Sequence, residues 1–268
     1  MDTTASLSPA SELSSAELAE RRERVFLILA AVFICSMTLL NVIGITRFVQ
    51  LGPMALTVGV LPYPLTFLCT DLICELYGKR RANFLVTIGL CLNLLILGIL
   101  WLGQALPSVP PGSLPPWQVL SLAEPVGLPN GSQLTGNVEL FDFFYLLATG
   151  GVFASMMAYV TAQYCDVKLF HFWRRVTKGK HLWLRNNLST LVSQGVDSVM
   201  VVTVTFGAVL LAGGISLEIF LGFIASNYLF KMCCALADTG PFYYFTYKLR
   251  RYLQLSDDYE ASAAPGGR

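Results

Sequence analysis

Residues 63–81 read YPLTFLCTDLICELYGKRR. An apolar run holds two carboxylates, Asp71 and Glu75, and ends on three cations, Lys79, Arg80 and Arg81. Pro62, Tyr63 and Pro64 stand at its head. Two prolines this close remove backbone donors and break the turn before them. From Pro64 to Tyr77 a helix rising 1.5 Å per residue covers only about 21 Å, short of a roughly 30 Å hydrocarbon core. A segment that crosses a membrane here must be kinked or discontinuous near Tyr63. Such broken backbone is tolerated at depth only where protein buries it or where it lines a cavity.

The rest of the chain bears out the membrane setting. Of its 268 residues 54% are hydrophobic and 13% charged, where a soluble domain carries about 25% charged. Six apolar stretches, at about 25–45, 54–77, 83–105, 143–165, 188–213 and 217–239, each have the length of a membrane-crossing helix. None alternates as a barrel strand does. The fold class is therefore all-α, a polytopic bundle of six transmembrane helices with the second broken near Pro62–Pro64. The first stretch is too long for a signal peptide and lacks a small-residue cleavage site after it, so it reads as retained.

Charge placement orients the bundle. Sixteen of the 18 Lys and Arg lie before the first stretch, in the gaps after the second and fourth, or after the sixth. Cytoplasmic loops collect these residues, so both termini are expected in the cytoplasm. Residues 1–24 read as a mobile cytoplasmic terminus, with Ser14 and Glu17 spaced for a capping box. The transporter domain is 25–251. Within it, the loop 106–138, with seven prolines and no cation, is expected to be external and irregular. The loop 166–186 is the basic cytoplasmic one, and 252–268 reads as a disordered tail.

Polar residues inside the spans are costly and mark function or pairing. Asp71 and Glu75 share a helical face. Glu75 also precedes Lys79 by four, a salt-bridge spacing, whereas Asp71 is about 12 Å from Lys79 along the axis. In the fifth stretch Asn186 stands at the inner mouth, followed by Ser193, Gln194 and Asp197; Asp197 lies about 15 Å beyond Asn187. In the sixth, Asn227, Lys231 and Asp238 share a face. Lys231 is the cation deepest in a span. Simple electrostatics pairs it with Asp71, Asp197 or Asp238 and leaves a net acidic site. Asn41 near the outer end of the first stretch joins the set. The predicted binding residues are thus Asn41, Tyr63, Asp71, Glu75, Asn186, Gln194, Asp197, Lys231 and Asp238. Carboxylates, amides, a lysine and an aromatic ring suit a planar heterocycle with N–H donors and a carbonyl. A strongly anionic nucleotide suits them poorly.

Three segments carry a family resemblance: YPLTFLCTDLICELYGKRRA at 63–82, LWLRNNLSTLVSQGVDS at 182–198 and KMCCALADTGP at 231–241. They resemble the YhhQ-like queuosine precursor transporter family, also called the vitamin uptake transporter family, over about 25–250. The resemblance implies six transmembrane helices and import across the bacterial inner membrane. The implied substrates are 7-cyano-7-deazaguanine, 7-aminomethyl-7-deazaguanine or queuine. Asp71, Glu75, Gln194 and Asp197 would then hydrogen-bond the base, Tyr63 would stack on it and Lys231 would balance charge. Another flat nutrient such as a vitamin is the alternative. An enzyme is not expected, as neither HExxH nor GxSxG occurs. The absence of a Walker motif assigns any ATPase to a separate chain. The seven cysteines form no CxxC pair, and no metal, cofactor or nucleic-acid partner is expected. Partners are the substrate and the bilayer, with self-association left open.

Overall fold

The computed structural model describes residues 14–44, 46–110, 113–128, 132–176 and 182–255, with the backbone alone at 79, 163–164, 166–167, 170–171, 173–175 and 182–190. The expectations for residues 1–13 and 256–268 lie outside this set. Among the described residues six helices are long and apolar enough to cross a membrane.

Helix α1 is Ser15–Val42. Its capping box forms as the sequence suggests: Ser14 Oγ accepts from the Glu17 amide, and the Ser14 amide donates to the Glu17 carboxylate. The helix then runs unbroken from this cap into the apolar stretch. After it, strands β1 (Phe48–Leu51) and β2 (Met54–Thr57) form an antiparallel hairpin turning at Gly52 and Pro53. A 3-10 turn at Val58–Val60 leads into α2, Tyr63–Tyr77. The break at Pro62–Pro64 is thus a change of structure rather than a kink. The first part of the 54–77 stretch is strand, not helix. Pro62 takes the cap position and Pro64 the first turn, where a missing N–H costs nothing. At its other end α2 stops on Gly78, whose φ of +85° a residue with a Cβ rarely adopts. Helix α3, Lys79–Ala105, starts at once.

The loop expected to be irregular contains nested strand pairs. Strand β3 (Val119–Ser121) pairs with β6 (Asn137–Glu139), and inside them β4 (Val126–Gly127) pairs with β5 (Gln133–Leu134). Leu128 and Val138 are buried there. Helix α4 is Leu140–Val176 and α5 is Leu182–Leu211. Most of the expected basic loop 166–186 is therefore helix. Helix α6, Leu217–Tyr252, passes through Pro241 and ends well beyond the apolar stretch.

Two sides of the bundle position the site. Ala30 and Phe33 of α1, Cys69 and Ile73 of α2, and Ala82 and Leu85 of α3 form one buried core. Helix α4 packs along α5, and α2 fits between α1 and α6. The outward faces show Leu27, Ile28, Phe84, Leu94, Leu95 and Ile99, each more than half exposed. A soluble protein rarely leaves such apolar area bare, and hydrocarbon is the solvent that accepts it.

The ends near the two termini are clamped together. Glu75 of α2 pairs with Arg250 of α6 at 2.5 Å, and Arg81 of α3 pairs with Glu23 of α1 at 3.1 Å. Arg81 also lies over the rings of Phe26 and Tyr77, and the Tyr77 hydroxyl donates to the Arg22 carbonyl at 2.7 Å. We call this the basic end and the opposite one the hairpin end.

Candidate functional site

A cavity of about 430 Å³ lies inside the bundle, with residues from all six helices and from the hairpin around it. Sites for small organic molecules run from roughly 300 to 1,000 Å³. The break before α2 creates one wall. Gly59 of the 3-10 turn sits against the end of α1, its amide donating to the Gly44 carbonyl at 3.3 Å. A Cβ at Gly59 would lie 2.6 Å from the Gly44 Cα and 2.7 Å from the Leu40 carbonyl oxygen. Only glycine permits this approach, and it directs the chain so that Tyr63 enters the cavity wall.

The first two turns of α2 present Tyr63, Thr66, Phe67 and Thr70 to the cavity, the 3–4 spacing of one helical face. Thr66 Oγ1 donates to the Tyr63 carbonyl at 2.7 Å, and Thr70 Oγ1 donates to the Thr66 carbonyl at 2.9 Å. The Tyr63 ring meets Phe67 edge-on at 4.9 Å.

Lys231 of α6 is 3% exposed and forms an ion pair with Asp197 of α5. Its ammonium lies 5.1 Å from the centre of the Tyr63 ring, within cation–π range. One cation therefore ties α2, α5 and α6 at one point. Of the three partners the sequence allowed for Lys231, the structure selects Asp197. Among the described residues the charged side chains around the cavity are this pair alone, so the described lining is formally neutral and not net acidic.

On the facing side Asn41 of α1 and Asn93 of α3 are both buried. Asn41 Nδ2 donates to the Met37 carbonyl and to Asn93 Oδ1, each at 3.0 Å. Three amide oxygens, Asn41 Oδ1, Gln194 Oε1 and Asn227 Oδ1, are buried without a hydrogen-bond partner among the described residues. All three residues line the cavity. Toward the hairpin end Phe48, Phe206 and Phe223 form a cluster with ring centres 5.3–5.9 Å apart.

Of the residues singled out in the sequence, Asn41, Tyr63, Gln194, Asp197 and Lys231 come together around this cavity. Asp71 is exposed and is not among the lining residues. Glu75 is engaged by Arg250 at the basic end. Asp238 is buried, its Oδ2 lacks a partner among the described residues, and it too is outside the lining. The Asn186 side chain lies outside the described residues. Asn93 was missed altogether; a solitary amide in the middle of the third apolar stretch was the available signal. Asn227 was seen on the Lys231 face but not singled out. Among the described residues no group of three or more His, Cys, Asp and Glu side chains could hold a metal ion.

A family model described as putative vitamin uptake transporter matches residues 57–246. The chain is also 27% identical over 206 residues to a protein named probable queuosine precursor transporter from Bacillus subtilis (strain 168). That alignment covers 76% of this chain and 77% of the relative. No solved structure matches.

Proposed function

Since this chain belongs to the putative vitamin uptake transporter family, we propose that it imports a queuosine precursor across the bacterial inner membrane. The precursor is a 7-deazaguanine such as 7-cyano-7-deazaguanine, 7-aminomethyl-7-deazaguanine or queuine. The observation that carries this reading is the cavity itself: amide side chains from four helices and one cation-held tyrosine ring surround a space of heterocycle size. The name borne by the Bacillus subtilis relative supports the same substrate.

Each part has a role in this reading. Tyr63 stacks on the base, its ring position set by Lys231. Gln194 and Asn41 stand in the wall around the base, and the Asp197–Lys231 pair offers one carboxylate and one ammonium without net charge. A polyanionic nucleotide would enter with nothing to neutralise it. The basic end faces the cytoplasm, in keeping with the bias of Lys and Arg. Asp71, Asp238 and Asn186 stand toward that end and would meet the substrate on its way out, while Glu75 is held by Arg250.

The test is uptake by cells that cannot make the precursor, read as queuosine in their tRNA. Expression of this chain should restore it from supplied 7-cyano-7-deazaguanine, and Tyr63→Leu should abolish the gain. No queuosine above background with the intact chain well expressed would refute the proposal. The family's description favours a second reading, a flat vitamin in the same cavity. Competition of labelled precursor uptake by vitamins separates the two.

A further inference from the structure

Charge in the cavity is concentrated at one point. Lys231 comes to it from α6 with 3% of its side chain exposed, and Asp197 from α5 with 15%. Tyr63 joins them through the lysine ammonium, 5.1 Å from its ring centre. Among the described residues the titratable side chains around the cavity are these three and Tyr159 of α4, and α1, α3 and the hairpin contribute none. The carboxylate in this set is thus already engaged, by a cation that burial holds in place.

The remaining wall has little to offer a second cation. Leu40, Leu56 and Val60 line it. Phe48, Phe206 and Phe223 pack on one another with ring centres 5.3–5.9 Å apart, rather than standing apart as the walls of a cage around an ammonium. A cationic ligand would put its charge near Lys231 with one carboxylate for the two of them. An unpaired charge in such surroundings is costly enough that the group enters in its neutral form instead.

The 7-deazaguanines differ in this respect. The 7-cyano compound is neutral. The aminomethyl compound carries a primary amine and queuine a secondary one, each an alkylammonium ion at neutral pH, as lysine is. We infer that the Asp197–Lys231 pair makes the cavity select by the charge of the 7-substituent, admitting the neutral 7-cyano compound and rejecting the alkylammonium forms. The inference rests on the 7-deazaguanine reading and names the member of that class that fits. An amine must then shed a proton to water before it enters, and the nitrile has none to shed.

The experiment measures binding of 7-cyano-, 7-aminomethyl- and 7-hydroxymethyl-7-deazaguanine to the purified full-length protein. The hydroxymethyl compound is neutral and matches the aminomethyl one in size, so it separates charge from shape. At about pH 7 the wild type should bind the aminomethyl compound roughly 10–1,000-fold more weakly than the hydroxymethyl one. The upper figure reflects the uncharged fraction of an amine titrating near about 10. Raising the pH from about 7 to about 9 should narrow this gap by up to about tenfold per unit, while the ratio between the two neutral compounds stays constant. Taking ratios cancels any titration of Tyr63, Tyr159, Asp197 or Lys231 themselves. Lys231→Met leaves Asp197 for the ligand's ammonium to engage, so there the order inverts and the aminomethyl compound raises the thermal midpoint more than the hydroxymethyl one does. Equal affinity of the wild type for these two compounds at neutral pH overturns the inference, and so does a gap that pH does not move, whether or not the variant folds. A folded Lys231→Met that keeps the wild-type order overturns the role of the pair. No binding of either neutral compound to folded wild type refutes the 7-deazaguanine reading instead.

Discussion

Replacing Lys231 by Met tests the centre of the bundle. The lysine is 3% exposed and its partner Asp197 15% exposed. At residue 231, α6 has risen roughly 21 Å from its start at Leu217, which puts the lysine well inside the apolar stretch. The substitution leaves Asp197 without its counter-ion in that setting. Removing one member of a buried ion pair costs about 3–5 kcal/mol, a factor of roughly 100 or more in the folding equilibrium at about 1.4 kcal/mol per decade. Asp197→Leu should cost a similar amount, since it strands the ammonium. The double variant Asp197→Leu/Lys231→Met strands neither. It should recover to within about 1–2 kcal/mol of wild type, because apolar packing of similar volume replaces a buried pair at little net cost. Unfolding of the purified protein in mixed micelles, followed by tryptophan fluorescence, measures all four states of the cycle. Additivity of the two single losses within about 0.5 kcal/mol, the behaviour of uncoupled sites, would refute the assignment of Lys231 to Asp197.

Other outcomes follow from separate features. Gly59→Ala forces a Cβ into backbone at 2.6 Å and should cost about 1–3 kcal/mol by overpacking, seen as a lowered thermal midpoint in detergent. Glu75→Gln loses only a partly exposed pair with Arg250, worth at most about 1 kcal/mol, and precursor uptake should stay within about twofold of wild type. Ser14→Ala removes the cap of α1 at about 1 kcal/mol, readable as faster amide exchange in the first turn with uptake unchanged.

Hydropathy made the six crossings legible, because a span must supply about twenty apolar residues in a row. The same criterion concealed the hairpin. Val49, Leu51, Met54 and Leu56 belong to strands of four residues, too short for alternation to stand out beside a long apolar run. Pro62 and Pro64 did reveal where α2 starts, because proline acts through local backbone geometry. Among the polar residues, helical periodicity gave the face but not the depth. Tyr63, Phe67 and Asp71 are spaced four apart, yet the cavity ends near Thr70 while the stripe continues to Glu75 and its partner Arg250. Lys231 and Asp197 were legible individually as expensive charges. Their pairing depends on how α5 sits against α6, which no spacing within one helix encodes.

The hairpin β1–β2 also constrains how the protein is made. Its outer strand edges carry backbone groups that acyl chains cannot satisfy, and the cover they receive comes from late in the chain. Strand β2 lies against α6, and Phe48 stacks on Phe223 of α6 and packs at a tilt against Phe206 of α5. While the ribosome is still synthesising those two helices, the second crossing has no lasting place in lipid. It must wait in the insertion machinery or at the membrane surface until its shield emerges, so release of a chain truncated before Leu217 would hand the cell an unfinished span and a substrate for membrane proteases.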